Sequence, residues 1–211
     1  MTRLGILGGT FDPPHYAHLI LAQHALEELG LSQVLFVPAG VPPHKTITRT
    51  PVKDRVAMLQ LAIEDNPDFA LSRVEIDRPG PHYTIDTVRI IQAQNPDAEL
   101  FFIMGGDTYR DLVNWDRPQE MFATCKLAVA VMRRPGFGSP DLRLDMHHDT
   151  IPDLEKHALL LSSPLVEFSS TDIVDRLLAR RSVRYMIPDP VLDYIAVHGL
   201  YGRERASSDA R

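Results

Sequence analysis

The stretch Leu4-Gly5-Ile6-Leu7-Gly8-Gly9-Thr10-Phe11-Asp12-Pro13-Pro14-His15-Tyr16-Ala17-His18 decides the reading of this chain. Leu4–Leu7 is a short apolar run suited to a buried strand. It leads into Gly8 and Gly9, which let the backbone approach a ligand closely. Beyond them Leu19, Ala22, Leu26 and Leu29 recur at spacings of three and four, one face of a helix that Gly30 can terminate. A strand, a glycine turn and a helix start together offer backbone N–H groups to an anion. His15 and His18, three residues apart at the first turn, can share the face that points at that anion. Imidazoles placed there can stabilise charge on a phosphoryl group in transfer. Each feature also has a plain reading: Gly-Gly is commonly just a turn, and paired histidines commonly face solvent. A zinc site would want three or four ligands, and no Cys or Glu lies at suitable spacing. The Gly-Lys-Ser/Thr ending of a Walker A loop is missing.

Outward from this stretch, apolar runs alternate with helix-period segments. Strands are expected at Leu4–Leu7, Val34–Val37, Ala70–Ile76, Leu100–Met104, Leu127–Met132 and Ala158–Leu161. Thr50-Pro51 reads as N-cap and first turn of a helix carrying Val52, Val56, Leu59 and Ile63. Thr84 precedes a helix through Ile91, Ser169-Ser170-Thr171 precede one with Ile173, Leu177 and Leu178, and the last helix starts near Asp189-Pro190. This alternation predicts an α/β fold, a doubly wound parallel sheet with helices on both faces, in which ligands bind beyond the carboxyl ends of the strands. One domain is expected over residues 1–202, followed by a disordered tail over 203–211; Arg133–Pro140 and the segment up to Asp153 read as a loop or small subdomain.

Composition narrows the partners. The 211 residues carry a formal charge of −6, so no global basic field exists to hold a nucleic-acid backbone. Any polyanion site must be built locally, from a few cations and backbone N–H groups. The single cysteine, Cys125, excludes an internal disulfide and fits a reducing compartment. No run approaches the roughly 18 apolar residues of a membrane span, and Leu4–Leu7 is too short for a signal-peptide core. A cytoplasmic protein is expected, without nucleic-acid or membrane partners; a homo-oligomer is compatible with the sequence.

A second anion cradle lies far along the chain, in Phe168-Ser169-Ser170-Thr171-Asp172-Ile173-Val174. Hydroxyls at a helix start are ordinary N-caps, but the N–H groups behind them also suit a phosphate. Between the two lie Val37-Pro38-Ala39-Gly40-Val41-Pro42-Pro43-His44-Lys45, a proline-stiffened loop that delivers a cation, with Arg55 in the next helix. Pro81-His82-Tyr83-Thr84 opens a helix, Gly105-Gly106-Asp107 closes a strand, and Trp115 is the only tryptophan. An aromatic face beside a helix N-terminus suits a flat ring bearing a carboxylate. Asp107 suits a ribose hydroxyl, a Mg²⁺-bound water or a helix cap.

The first stretch resembles the nucleotidyltransferase signature G-G-T-F-D-P-x-H-x-G-H, with Ala17 where the pattern has Gly. The second resembles I-S-S-T-x-I-R, with Phe168 for Ile and Val174 for Arg; Arg176, Arg180 and Arg133-Arg134 are candidates to replace the lost guanidinium. With V-P-P-H-K, Y-T-x-D-T, W-D, R-R-P-G and the closing G-L-Y, the chain from Leu4 to Tyr201 looks like the bacterial nicotinate mononucleotide adenylyltransferase family. The resemblance implies a Rossmann-like fold and transfer of AMP from ATP to nicotinate mononucleotide, with Mg²⁺ carried on the ATP. It assigns catalysis to His15, His18 and Lys45, and ATP binding to Gly8, Gly9, Thr10, Phe11, Gly105, Asp107, Ser169, Ser170 and Thr171. It assigns the nicotinate nucleotide to Lys45, Tyr83, Thr84, Trp115 and Arg134, and no metal to protein side chains. The alternatives are a transferase acting on pantetheine phosphate or glycerol phosphate, where His44-Lys45 and Trp115 have no evident purpose, and a nucleotide-binding module without turnover. All these readings require the helix starts behind Gly9 and Ser169 to meet at one triphosphate.

Overall fold

The computed structural model describes residues 2–40, 49–124, 127–132, 147–161, 164, 166 and 168–202. Among the described residues six strands form one parallel sheet: β1 (Arg3–Gly9), β2 (Gln33–Pro38), β3 (Phe69–Leu71), β4 (Glu99–Gly105), β5 (Leu127–Met132) and β6 (Ala158–Leu161). They lie in the order β3-β2-β1-β4-β5-β6. Strand order reverses beside β1, which pairs in parallel with β2 on one side and β4 on the other. The crevice above the carboxyl ends of β1 and β4 is therefore where such a sheet accepts a ligand.

Successive side chains of a strand point to opposite faces. In β4, Leu100, Phe102 and Met104 enter one buried cluster while Phe101 and Ile103 enter the other. The cluster containing Phe101 gathers α1 (Tyr16–Glu28), α2 (Val52–Ile63), α7 (Ser170–Leu178) and α8 (Asp189–His198), through Leu21, Leu59, Ile173 and Ile195 among others. The opposite cluster gathers α3 (Thr84–Gln94), α4 (Gly106–Arg110), α5 (Pro118–Thr124) and α6 (Leu154–His157), through Ile85, Val88, Tyr109, Met121 and Leu154. Burying a Leu or Ile side chain contributes about 1.5–3 kcal/mol, so both faces hold the helices that carry the loops. Among the described residues no helix is long and apolar enough to cross a membrane.

Two local expectations need correction. The third strand was expected over Ala70–Ile76 but covers only Phe69–Leu71. Its continuation folds into a turn in which Ile76 and Asp77 N–H donate to Arg73 O, and this turn aims Glu75 at the Gly40 N–H. The N-cap of α2 is Pro51 rather than Thr50. Thr50 is instead tied by its backbone N–H to Asp12 Oδ2 at 3.2 Å. Gly30 ends α1 as expected, with φ +58° just past the cap residue Leu29. The readings made for the tail over 203–211 and for Arg133–Pro140 lie outside the described residues.

Candidate active site

A cavity of about 620 Å³ opens above the strand-order reversal. Gly8 and Gly9 from β1 and Met104 and Gly105 from β4 form its base, while His15, His18, Ser169, Ser170 and Thr171 line one part of it. Tyr83, Thr84 and Trp115 also line it. The two chain-distant helix starts are in direct contact: Ser170 Oγ donates to Pro13 O at 2.8 Å, and the His15 ring meets Phe168 edge-on at 5.5 Å.

The histidine pair is built by helix capping. His15 is the extended N-cap of α1 and is buried. Its backbone N–H donates to His18 Nδ1 at 3.2 Å, and the two rings stack with centroids 3.6 Å apart. A backbone N–H can donate only to a ring nitrogen with a lone pair. This bond therefore selects the His18 form with its proton on Nε2, making that nitrogen a hydrogen-bond donor. Phe11, expected at the nucleotide, is almost fully buried and lies under the pair, its ring edge-on to His18 at 4.9 Å. It holds this place at φ +50°, a region that costs a non-glycine residue about 1–3 kcal/mol. Gly9 permits it, because a Cβ there would lie 3.0 Å from the Phe11 ring.

At the second helix start the hydroxyls have structural work as well. Ser169 Oγ accepts from Asp172 N–H at 3.2 Å and donates to Asp172 Oδ2 at 2.6 Å, while Ser169 N–H donates to the same oxygen at 2.8 Å. These bonds from Ser169 hold the Asp172 carboxyl below the usual carboxylate range. Ser169 thus serves α7 as a capping box and Ser170 ties α7 to the first loop. Thr171, exposed and lining the cavity, remains beside them with the first-turn N–H groups of α7.

Asp107 lies in the first turn of α4 and is exposed at the cavity, where Gly105 leaves room for its carboxylate: a Cβ at Gly105 would lie 2.7 Å from Asp107 Oδ1. Tyr83 caps α3 and Thr84 is its first residue, so the helix N-terminus faces the cavity beside Trp115. Trp115 is fixed edge-on against Phe102, with ring centroids 5.7 Å apart. Lys45 and Arg134 lie outside the described residues. No group of three or more His, Cys, Asp or Glu side chains that could hold a metal ion occurs among the described residues.

Sequence reasoning missed a buried polar hub beneath the first loop. The fully buried Arg55 donates from Nη1 to Thr10 O and from Nη2 to Ala39 O, both at 2.7 Å, joining the loops that follow β1 and β2. Burial pulls its pKa down, and the neighbouring Asp12 raises it again. Asp12 also accepts from the Tyr201 hydroxyl at 2.5 Å and, as noted, from Thr50 N–H. Glu75 was missed too: it accepts from Gly40 N–H at 3.3 Å and from Thr87 Oγ1 at 2.7 Å, on the Tyr83 side of the cavity. An aspartate inside the Gly-Gly-Thr-Phe-Asp-Pro string and an arginine on an otherwise apolar helical face were the only local signals for the hub.

The cytidylyltransferase-like family matches residues 6–176. A protein of Thermomicrobium roseum, named "Probable nicotinate-nucleotide adenylyltransferase", is 46% identical over 203 residues, covering 95% of this chain and 92% of the relative. A Geobacillus thermodenitrificans protein of the same name is 38% identical over 212 residues, covering 99% and 90%. Among solved structures, the Plasmodium falciparum nicotinic acid mononucleotide adenylyltransferase complexed with NaAD has the same fold, with a TM-score of 0.78 at 19% identity over 97% of this chain and 99% of that one. By sequence over nearly its whole length, the chain belongs to the cytidylyltransferase-like family and, within it, to the nicotinate-nucleotide adenylyltransferases.

Proposed function

We infer that this protein transfers the adenylyl group of ATP to nicotinate mononucleotide, giving nicotinate adenine dinucleotide and pyrophosphate. The observation that carries the reading is the junction of the two helix starts through Ser170 and Pro13, on one cavity that Trp115 and the start of α3 also line. The attacking group is a phosphate already ionised at neutral pH, so the site needs no general base. Its task is alignment and charge neutralisation. The phosphate oxygen attacks the α-phosphorus, the bond from that phosphorus to the bridging oxygen breaks, and pyrophosphate leaves with the electron pair.

In this reading His18 Nε2–H donates to the α-phosphate as charge develops on it, and buried His15 fixes His18 by its backbone N–H. Gly8, Gly9 and Thr10 bring backbone close to the nucleotide, and Thr171 with the α7 N-terminus receives the leaving phosphates. Trp115 and Tyr83 flank the pyridine ring, and the N–H groups at the start of α3 favour a carboxylate over an amide on that ring. Lys45 and Arg134 are assigned to the nicotinate nucleotide from the sequence resemblance alone. Mg²⁺ is taken as part of the ATP substrate.

Pyrophosphate release with ATP, measured against nicotinate mononucleotide, nicotinamide mononucleotide, pantetheine phosphate and glycerol phosphate, tests the assignment. Nicotinate mononucleotide is expected to give the highest kcat/KM. A higher value for another acceptor, or ATP binding without product, would overturn it.

A further inference from the structure

The cavity has to receive a triphosphate, yet position 174, where the signature carries arginine, holds the buried, cavity-lining Val174. Arg176 on the same helix donates from Nε to Ser182 O at 3.0 Å, and Arg180 lies just past the C-terminal end of α7; neither lines the cavity. Arg49 does. It is the only Lys or Arg among the described cavity-lining residues, and it comes from a different segment, the one leading into α2.

Arg49 reaches toward α7 beside Val174. Its Nη1 lies 3.9 Å from Asp175 Oδ1, and the two side chains are 53% and 64% exposed. An ion pair so long and so exposed is screened by water and holds Arg49 only weakly. A guanidinium hydrogen-bonded to phosphate oxygens is shorter, charge-assisted and stronger. Little is therefore lost if Arg49 leaves this carboxylate for a phosphate.

We propose that Arg49 binds the β- or γ-phosphate of ATP, replacing the guanidinium absent at position 174, and that Asp175 is its resting counter-ion. This rests on the adenylyl-transfer reading, so the wild-type protein is assayed first: absence of pyrophosphate release by the wild type sinks that reading and says nothing against an ATP contact by Arg49. Titration with a non-hydrolysable ATP analogue then follows binding directly in both proteins. For Arg49→Ala, the analogue Kd and the KM for ATP are expected to rise about ten- to hundredfold, the range for losing a hydrogen bond to a charged group. The KM for nicotinate mononucleotide should stay within twofold. Arg49→Ala should also flatten the dependence of analogue affinity on salt, and Asp175→Asn should tighten the analogue a few-fold. An Arg49→Ala protein with unchanged analogue affinity, or with equal losses for both substrates, would overturn the proposal. Arg49 is half exposed, so the fold of the variant is checked by its Tm.

Discussion

In the proposed reaction His18 has one task for each ring nitrogen, and the structure allows them to be separated. Nδ1 accepts the His15 N–H and so caps α1, whereas Nε2–H is the donor assigned to the α-phosphate. An asparagine side chain can place its amide oxygen near the Nδ1 position but does not extend to Nε2. A glutamine side chain can place its amide nitrogen near Nε2 but offers no acceptor at Nδ1. His18→Asn is therefore expected to keep the cap and lose the donor, with stability within about 0.5 kcal/mol of wild type and kcat down about 10²–10³-fold, as for loss of one oxyanion-type donor. His18→Gln should show the converse: about 1 kcal/mol less stable, from the lost cap, with kcat reduced only about tenfold. His18→Ala should suffer both losses. Urea unfolding gives the first quantity and steady-state pyrophosphate release the second. If His18→Asn retained near-full kcat, or if His18→Gln lost more activity than His18→Asn, the division of labour between the two nitrogens would be wrong.

Three further outcomes are expected. Arg55→Met removes the guanidinium from Thr10 O and Ala39 O and leaves Asp12 without its buried counter-charge; unfolding should show a loss of about 3–5 kcal/mol, and a loss below about 1 kcal/mol would contradict the hub. Burial and the bond to Asp12 raise the Tyr201 pKa, so above pH about 10 the unfolded chain loses a proton that the folded chain keeps, and stability falls as pH rises. In that range Tyr201→Phe should unfold with a slope shallower by about 1.4 kcal/mol per pH unit, and an unchanged slope would place the hydroxyl in solvent. Trp115→Ala should raise the KM for nicotinate mononucleotide about tenfold by removing a stacking face and leave the KM for ATP within twofold, whereas equal effects on both would reject the stacking role.

The fold was legible because its signals are local. Leu100–Met104 reads as a strand without its neighbours, since a parallel strand is apolar on both faces, and Leu19, Ala22, Leu26 and Leu29 mark a helix by spacing alone. Ala70–Ile76 misled for the same reason. Val74 and Ile76 continue the apolar count, but the turn at Arg73 is set by where Glu75 finds donors, on Gly40 and Thr87. The candidate site was legible as two helix starts with their polar residues, not as roles. Ser169 and Ser170 look alike in sequence, yet one caps its own helix and the other ties that helix to Pro13.

By itself, then, the sequence determined the strand-helix alternation, the glycine exit of the first strand and the types of side chain available for an anion. Periodicity and backbone permissiveness act over a few residues. Only the tertiary structure decided that Tyr201 would reach Asp12 across 189 positions, that Ser170 would reach Pro13 across 157, and that Arg55 would join two loops from below. A buried polar group must find a partner wherever packing brings one, and nothing in its immediate neighbours along the chain says which partner that will be.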